Sequence, residues 1–150
     1  MKFINFSWRR ETKTWISLLL FVFLYSNAIQ AQTYCTPQGT NSSHFINNFS
    51  TSGGLQNITN NGSGFSPGGY GVFTGLTVGQ EQNASVNFSA DFVDGTYGFR
   101  IWVDWNQNGT FEASEVAYNS TSYSSSHTGS FSVPNNAALG PTRMRIVAHW

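Results

Sequence analysis

The chain has 150 residues, enough for one domain with a short leader, and its seven Lys and Arg residues balance seven Asp and Glu. Four of the cationic residues fall within the first 31 positions, so the remainder carries three arginines, no lysine and six carboxylates, a formal charge of −3. With no basic patch to neutralise phosphates, that remainder argues against nucleic acid as a partner and offers no polybasic segment to a membrane surface.

Lys2, Arg9, Arg10 and Lys13 make a basic start. The run from Trp15 to Tyr25 is uncharged and mostly apolar, and small and polar residues follow, with Ala28 and Ala31 as alternative last residues before a cleavage point. That order is what a signal peptidase reads. The apolar run is well short of the roughly 20 residues of a spanning helix, which leaves a retained anchor as the weaker alternative and predicts no membrane span. The expected organisation is a cleaved signal peptide over 1–31 and one secreted or cell-surface domain over 32–150.

Beyond residue 32 there is no long stretch of apolar residues at helical spacing; period-two runs recur instead. Candidate strands are, in order, Phe45 to Phe49, Tyr70 to Val78, Asn83 to Phe88, Phe99 to Trp105, Glu115 to Tyr118, Gly129 to Val133 and Met144 to Trp150. In the fourth, Phe99, Ile101, Val103 and Trp105 point one way, and Trp102 the other. Turn signals separate the runs, among them Gly53-Gly54, Asn61-Gly62, Pro67-Gly68-Gly69, Asp94-Gly95, Asn108-Gly109 and Gly140-Pro141. Short strands at this spacing predict an all-β fold, a β-sandwich or jelly-roll-like domain, with a single core between two sheets.

Cys35 is the sole cysteine, which is unusual for an exported chain because thiols there generally pair. It is expected either to bond outside this sequence or to stay free. The chain stops inside a strand-like run at Trp150, so the domain is read as incomplete at its C-terminus, with a second cysteine expected in the missing tail.

One segment carries specific chemistry. Asp104-Trp105-Asn106-Gln107-Asn108-Gly109-Thr110-Phe111-Glu112-Ala113-Ser114-Glu115 fits the calcium-loop pattern D-x-[DN]-x-[DN]-G-x5-E at every defined position. Ca2+ takes six to eight oxygen ligands and tolerates irregular geometry. Asp104, Asn106 and Asn108 place three side-chain oxygens at alternate positions, and Gly109 permits the turn. The Thr110 carbonyl adds a backbone oxygen, Glu112 ligates directly or through water, and Glu115 closes the shell with two oxygens. The flanks read as strands, so this is the loop without EF-hand helices and without their opening motion. An Asn-Gly hairpin free of metal is the alternative.

Other signals are weaker. His44, His127 and His149 have no metal-ligand spacing, and the eight N-x-[ST] triplets beyond residue 32 read as a product of the Asn, Ser and Thr content. Filling the interior is the expected use of the large rings; Trp102, with Tyr97, Tyr118 or Tyr123, as a sugar-stacking platform is the alternative.

The residues Tyr34-Cys35-Thr36, Gly69-Tyr70, the run Ile101 to Phe111 with Glu115, Val133-Pro134 and Gly140 to Arg145 resemble the GEVED domain of secreted bacterial proteins. The name-giving Gly-Glu-Val-Glu-Asp segment of that family is absent here. The resemblance implies a β-rich accessory module, of the kind attached to secreted peptidases, adhesin-like repeats or type IX sorting tails, and it brings no catalytic residues. The expected function is therefore a non-catalytic, calcium-stabilised extracellular module for adhesion or spacing, whose partners are neighbouring domains of the same protein and surface glycans or proteins. A carbohydrate-binding module of a secreted hydrolase or peptidase is the alternative, with Trp102 as its contact residue.

Overall fold

Six of the seven period-two runs become strands in a computed structural model, which describes residues 34–36, 39 and 41–150. The signal peptide expected over 1–31 lies outside the described residues. The strands are β1 (Ile46–Ser52), β2 (Thr59–Asn60), β3 (Ser85–Phe92), β4 (Gly98–Val103), β5 (Val116–Asn119), β6 (Ser126–Ser132) and β7 (Met144–His149). Two antiparallel sheets result, ordered β2-β1-β3-β6 and β5-β4-β7. The fold is all-β, a two-sheet sandwich. Among the described residues no helix is long and apolar enough to cross a membrane.

Alternation explains which side of each strand is buried. Val86, Phe88 and Ala90 point inward from β3, and Phe99, Ile101 and Val103 from β4. With Phe49, Ile58 and Phe131 they form one core, so the inner faces of both sheets meet in a single apolar layer. Phe99 is its hub. Its ring lies 5.7 Å from Phe88, 5.8 Å from Phe92 and 6.4 Å from Phe49, and His127 stacks flat on it at 6.0 Å. The His127 ring thus serves mainly as packing, with Nε2 placed 2.7 Å from the Tyr97 carbonyl oxygen.

One expected strand is not formed. Tyr70 to Val78 makes turns, and only Gly79 pairs, through an isolated bridge to Gln56. Gly68 and Gly69 enter with φ of +78° and +74°, and Gly71 and Gly75 interrupt the alternation, so Val72 and Phe73 stay exposed. The two-residue β2 was not legible as a strand, since Thr59-Asn60 carries no apolar face of its own. Two other boundaries moved. Asn83, at φ +64°, delays β3 to Ser85, and Glu115 completes a 3-10 turn over Ala113–Glu115 before β5 begins.

The connection from β4 to β5 positions the acidic segment at the end of the central strand of the three-stranded sheet. The opposite end of β4 is aromatic: Tyr97 packs there on Phe92, His44 and Trp150.

Phe99 has no exposed surface, and truncating a buried aromatic costs about 3–5 kcal/mol. Phe99→Ala is expected to lower unfolding free energy by that amount, read as an earlier denaturant midpoint with the slope retained; a change below about 1 kcal/mol contradicts the core assignment.

Candidate metal centre

The loop begins where β4 ends. Asp104 is still tied to the sheet, its N–H donating to the Arg143 carbonyl at 3.1 Å and its own carbonyl accepting the Thr142 hydroxyl at 2.5 Å. Gln107, at φ +57°, and Gly109, at φ +82°, then reverse the chain. The Gly109 conformation is one that residues with a Cβ rarely adopt, which is why the pattern needs glycine there.

The expected ligand residues fold back on the loop's own backbone. Asp104 Oδ1 accepts the Asn108 N–H at 3.1 Å, and Oδ2 accepts the Gly109 N–H at 2.9 Å. Asn106 Oδ1 accepts the Asn108 N–H at 3.0 Å, and Asn108 Oδ1 accepts the Thr110 N–H at 2.8 Å. From the far end, Glu115 returns inward: Oε1 accepts the Asn106 N–H at 3.3 Å and Oε2 the Glu112 N–H at 3.2 Å. Asp104 and Glu115 therefore grip the same short stretch from its two sides. Both are buried, at 0% and 3% exposure, while Asn106, Asn108, Thr110 and Glu112 are exposed.

These bonds use part of the oxygens' capacity. An ionised carboxylate has about four acceptor positions and an amide oxygen two, so Asp104 Oδ1, both Glu115 oxygens and both Asn Oδ1 atoms each retain a lone pair. A hard cation with oxygen ligands suits that donor set. Glu112 stands apart from it. Its carboxylate accepts the side-chain N–H groups of Asn106 at 3.3 Å and Asn108 at 3.1 Å, so it holds the nitrogen ends of the amides whose oxygens face the loop backbone. Among the described residues no three His, Cys, Asp or Glu side chains gather as a metal-holding group. Any site here rests on the two buried carboxylates with amide and carbonyl oxygens.

Charge is the unbalanced feature. Among the described residues neither Asp104 nor Glu115 has an ion pair, although two arginines lie close by. Arg143 lies 4.5 Å over the Tyr34 ring, and Arg145 lies 4.3 Å over Phe111 and 5.6 Å from Tyr70. Both guanidiniums are thus turned to aromatic faces instead of carboxylates. Arg145 is itself buried; Nη2 donates to the Cys35 carbonyl at 2.5 Å, Nη1 reaches Cys35 Sγ at 3.5 Å, and Nε is left without a partner.

Tyr34 completes the surroundings. Its hydroxyl donates to Asp104 Oδ2 at 2.5 Å, and its ring lies 5.0 Å from Phe111. Burial, followed by the hydrogen bond and negative charge of Asp104, pushes the phenol up to about 12, against weaker opposing pulls from Thr142 and Arg143. Sequence reasoning assigned no role to Tyr34, Phe111, Arg143 or Arg145, though all four sit in the stretches that carry the family resemblance.

Most of the aromatics beside Trp102 fill the interior, as expected. Tyr97 is buried, and Tyr118 packs inward, 4.6 Å from Phe88. Of the three tyrosines only Tyr123 is exposed, and its ring meets His149. Trp102 does face outward, half-exposed, with the Arg100 guanidinium 5.1 Å over its ring. Cys35 is exposed and free.

Residues 98–150 match the GEVED domain family model. The GEVED match begins at the first residue of β4 and takes in the whole acidic loop, β5, β6 and β7. It ends with the chain, and the sandwich strands before β4 lie outside it. No curated protein and no solved structure matches the chain.

Because the fold favours the neutral Tyr34 phenol, its contribution to stability is complete below pH 10 and is lost as pH rises from about 10 to about 12. Unfolding free energy is expected to fall more steeply over that interval in the wild type than in Tyr34→Phe. Burial also raises the Tyr97 phenol, but that group is common to both proteins. Parallel curves contradict the Tyr34–Asp104 coupling.

Proposed function

We propose that the domain is a non-catalytic, calcium-stabilised accessory module of a secreted or cell-surface protein, serving adhesion or spacing beside neighbouring domains. One observation carries the calcium reading: two buried carboxylates, Asp104 and Glu115, close a twelve-residue loop of the calcium pattern and, among the described residues, have no ion-pair partner. Burying unpaired charge costs several kcal/mol unless it is neutralised or paired. A divalent ion bound by Asp104, Glu115 and the Asn106 and Asn108 oxygens, with the Thr110 carbonyl, removes that cost. Glu112 supports the amides and reaches the ion at most through water. The leader-like N-terminus supports export, and the GEVED match supports an accessory role.

Calcium here orders a structure. Two of the ligand positions are neutral Asn, which points to the weak affinity class of extracellular modules, about 10⁻⁴ to 10⁻³ M. At about 1 mM calcium and a Kd of about 0.1 mM, linkage gives ~1.4 kcal/mol. That is enough to hold a loop, and too little for a large conformational switch.

The purified protein is expected to melt about 5 °C higher in 1 mM calcium than in chelator. Glu115→Gln keeps the side chain's size and removes its charge; it is expected to abolish the calcium shift, and to lower the chelator melt slightly because the amide nitrogen cannot accept one of the two backbone N–H groups held by Glu115. Equal melts of the wild type with and without calcium would refute the reading.

A further inference from the structure

Tyr34, Cys35, Thr36 and Gly39 belong to neither sheet, yet they are fastened at several points. Arg145 stands opposite Trp102 in the β4–β7 register and so shares its outward face. On that face Arg145 Nη2 holds the Cys35 carbonyl, while Arg143 covers the Tyr34 ring. Farther along, the Gly39 N–H donates to the Gly68 carbonyl at 2.8 Å. The backbones cross so closely there that a Cβ on Gly69 would come within 2.5 Å of Gly39 Cα.

Two of the fastenings belong to the acidic loop itself. The Tyr34 hydroxyl is bonded to Asp104, and Phe111 lies between the Tyr34 ring and the Arg145 guanidinium, touching both. We infer that the segment carrying Tyr34, Cys35, Thr36 and Gly39 is a latch whose docking is coupled to the ion-binding state of the 104–115 loop. Tyr34 is the positioning residue that joins them. This inference rests on the calcium reading above.

The coupling has a direct physical cause. Asp104 Oδ2 is taken by the Gly109 N–H and the Tyr34 O–H, so Oδ1 is the oxygen presented to an ion. Without a cation, Asp104 and Glu115 leave two buried negative charges on one loop, and turning a carboxylate to water relieves that cost. A turned Asp104 releases the Tyr34 hydroxyl. Phe111 moves with the loop and leaves both Tyr34 and Arg145. An ion reverses each step, and reciprocity requires that the docked latch strengthen ion binding by the same factor by which the ion strengthens docking. The position of the single thiol, Cys35, beside Arg145 then depends on calcium.

The test uses the purified protein, calcium chloride and the variant Tyr34→Phe, which keeps the ring on Phe111 and removes the hydroxyl. Calorimetric titration is expected to show calcium bound about fivefold or more weakly by the variant. Exchange of the Gly39 amide, read by NMR, is expected to slow about fivefold in saturating calcium in the wild type, and not in the variant. The melting temperature in chelator is expected to be nearly the same in both. A purely structural tyrosine would lower the melt in chelator and leave calcium affinity alone. Equal affinities, with Gly39 exchange indifferent to calcium while calcium still raises the wild-type melt, would overturn the latch and leave the calcium reading standing. No effect of calcium on the wild-type melt would overturn that reading and the latch with it.

Discussion

Asp104 is an acidic side chain with no exposed surface, and the corner of the molecule around it is organised by that fact. A buried carboxylate is tolerated only when its oxygens are hydrogen-bonded and its charge is met. The first condition is fulfilled completely, by two backbone N–H groups of the loop and by the Tyr34 hydroxyl. Among the described residues no side chain fulfils the second by an ion pair, because both nearby guanidiniums lie over aromatic rings. Glu115 adds a second buried carboxylate to the same loop. The calcium reading and the coupled latch both follow from this imbalance of charge.

The sandwich gives that corner its rigidity. β4 lies at the centre of the three-stranded sheet, with Phe99, Ile101 and Val103 locked into the core and Asp104 next in line. Because three successive inward residues are fixed by packing, the first loop residue has little freedom in where it starts. The other end of the strand is closed by Tyr97, whose neighbours include His44, His127 and Trp150. The histidines are therefore spent on aromatic packing at the end away from the acidic loop. This accounts for their lack of metal-ligand spacing.

The GEVED match covers the half of the sandwich that holds the loop and both arginines. Tyr34, which contacts that half through Asp104, Phe111 and Arg143, comes from far upstream in the chain.

Much of this was legible in the amino-acid order. The alternation of Val86, Phe88 and Ala90, and of Phe99, Ile101 and Val103, specifies strands with one buried face, because successive side chains in a strand point to opposite sides. The loop is legible for a similar reason: its residues are close in sequence, and Gly109 marks the turn. Alternation failed from Tyr70 to Val78, where left-handed Gly68 and Gly69 at the entrance and Gly71 and Gly75 within interrupt an apolar pattern. Tyr97 and Tyr118 fill the interior, the expected use of such rings, and the extent of their burial depends on the facing sheet. Burial of Asp104 and Glu115, the diversion of Glu112 to the two amides, and the joining of Tyr34 to a carboxylate seventy positions away were decided by tertiary structure alone. Local spacing determines which oxygens share a loop. Which of them lose water, and what charge then faces them, depends on segments brought together only when the two sheets close.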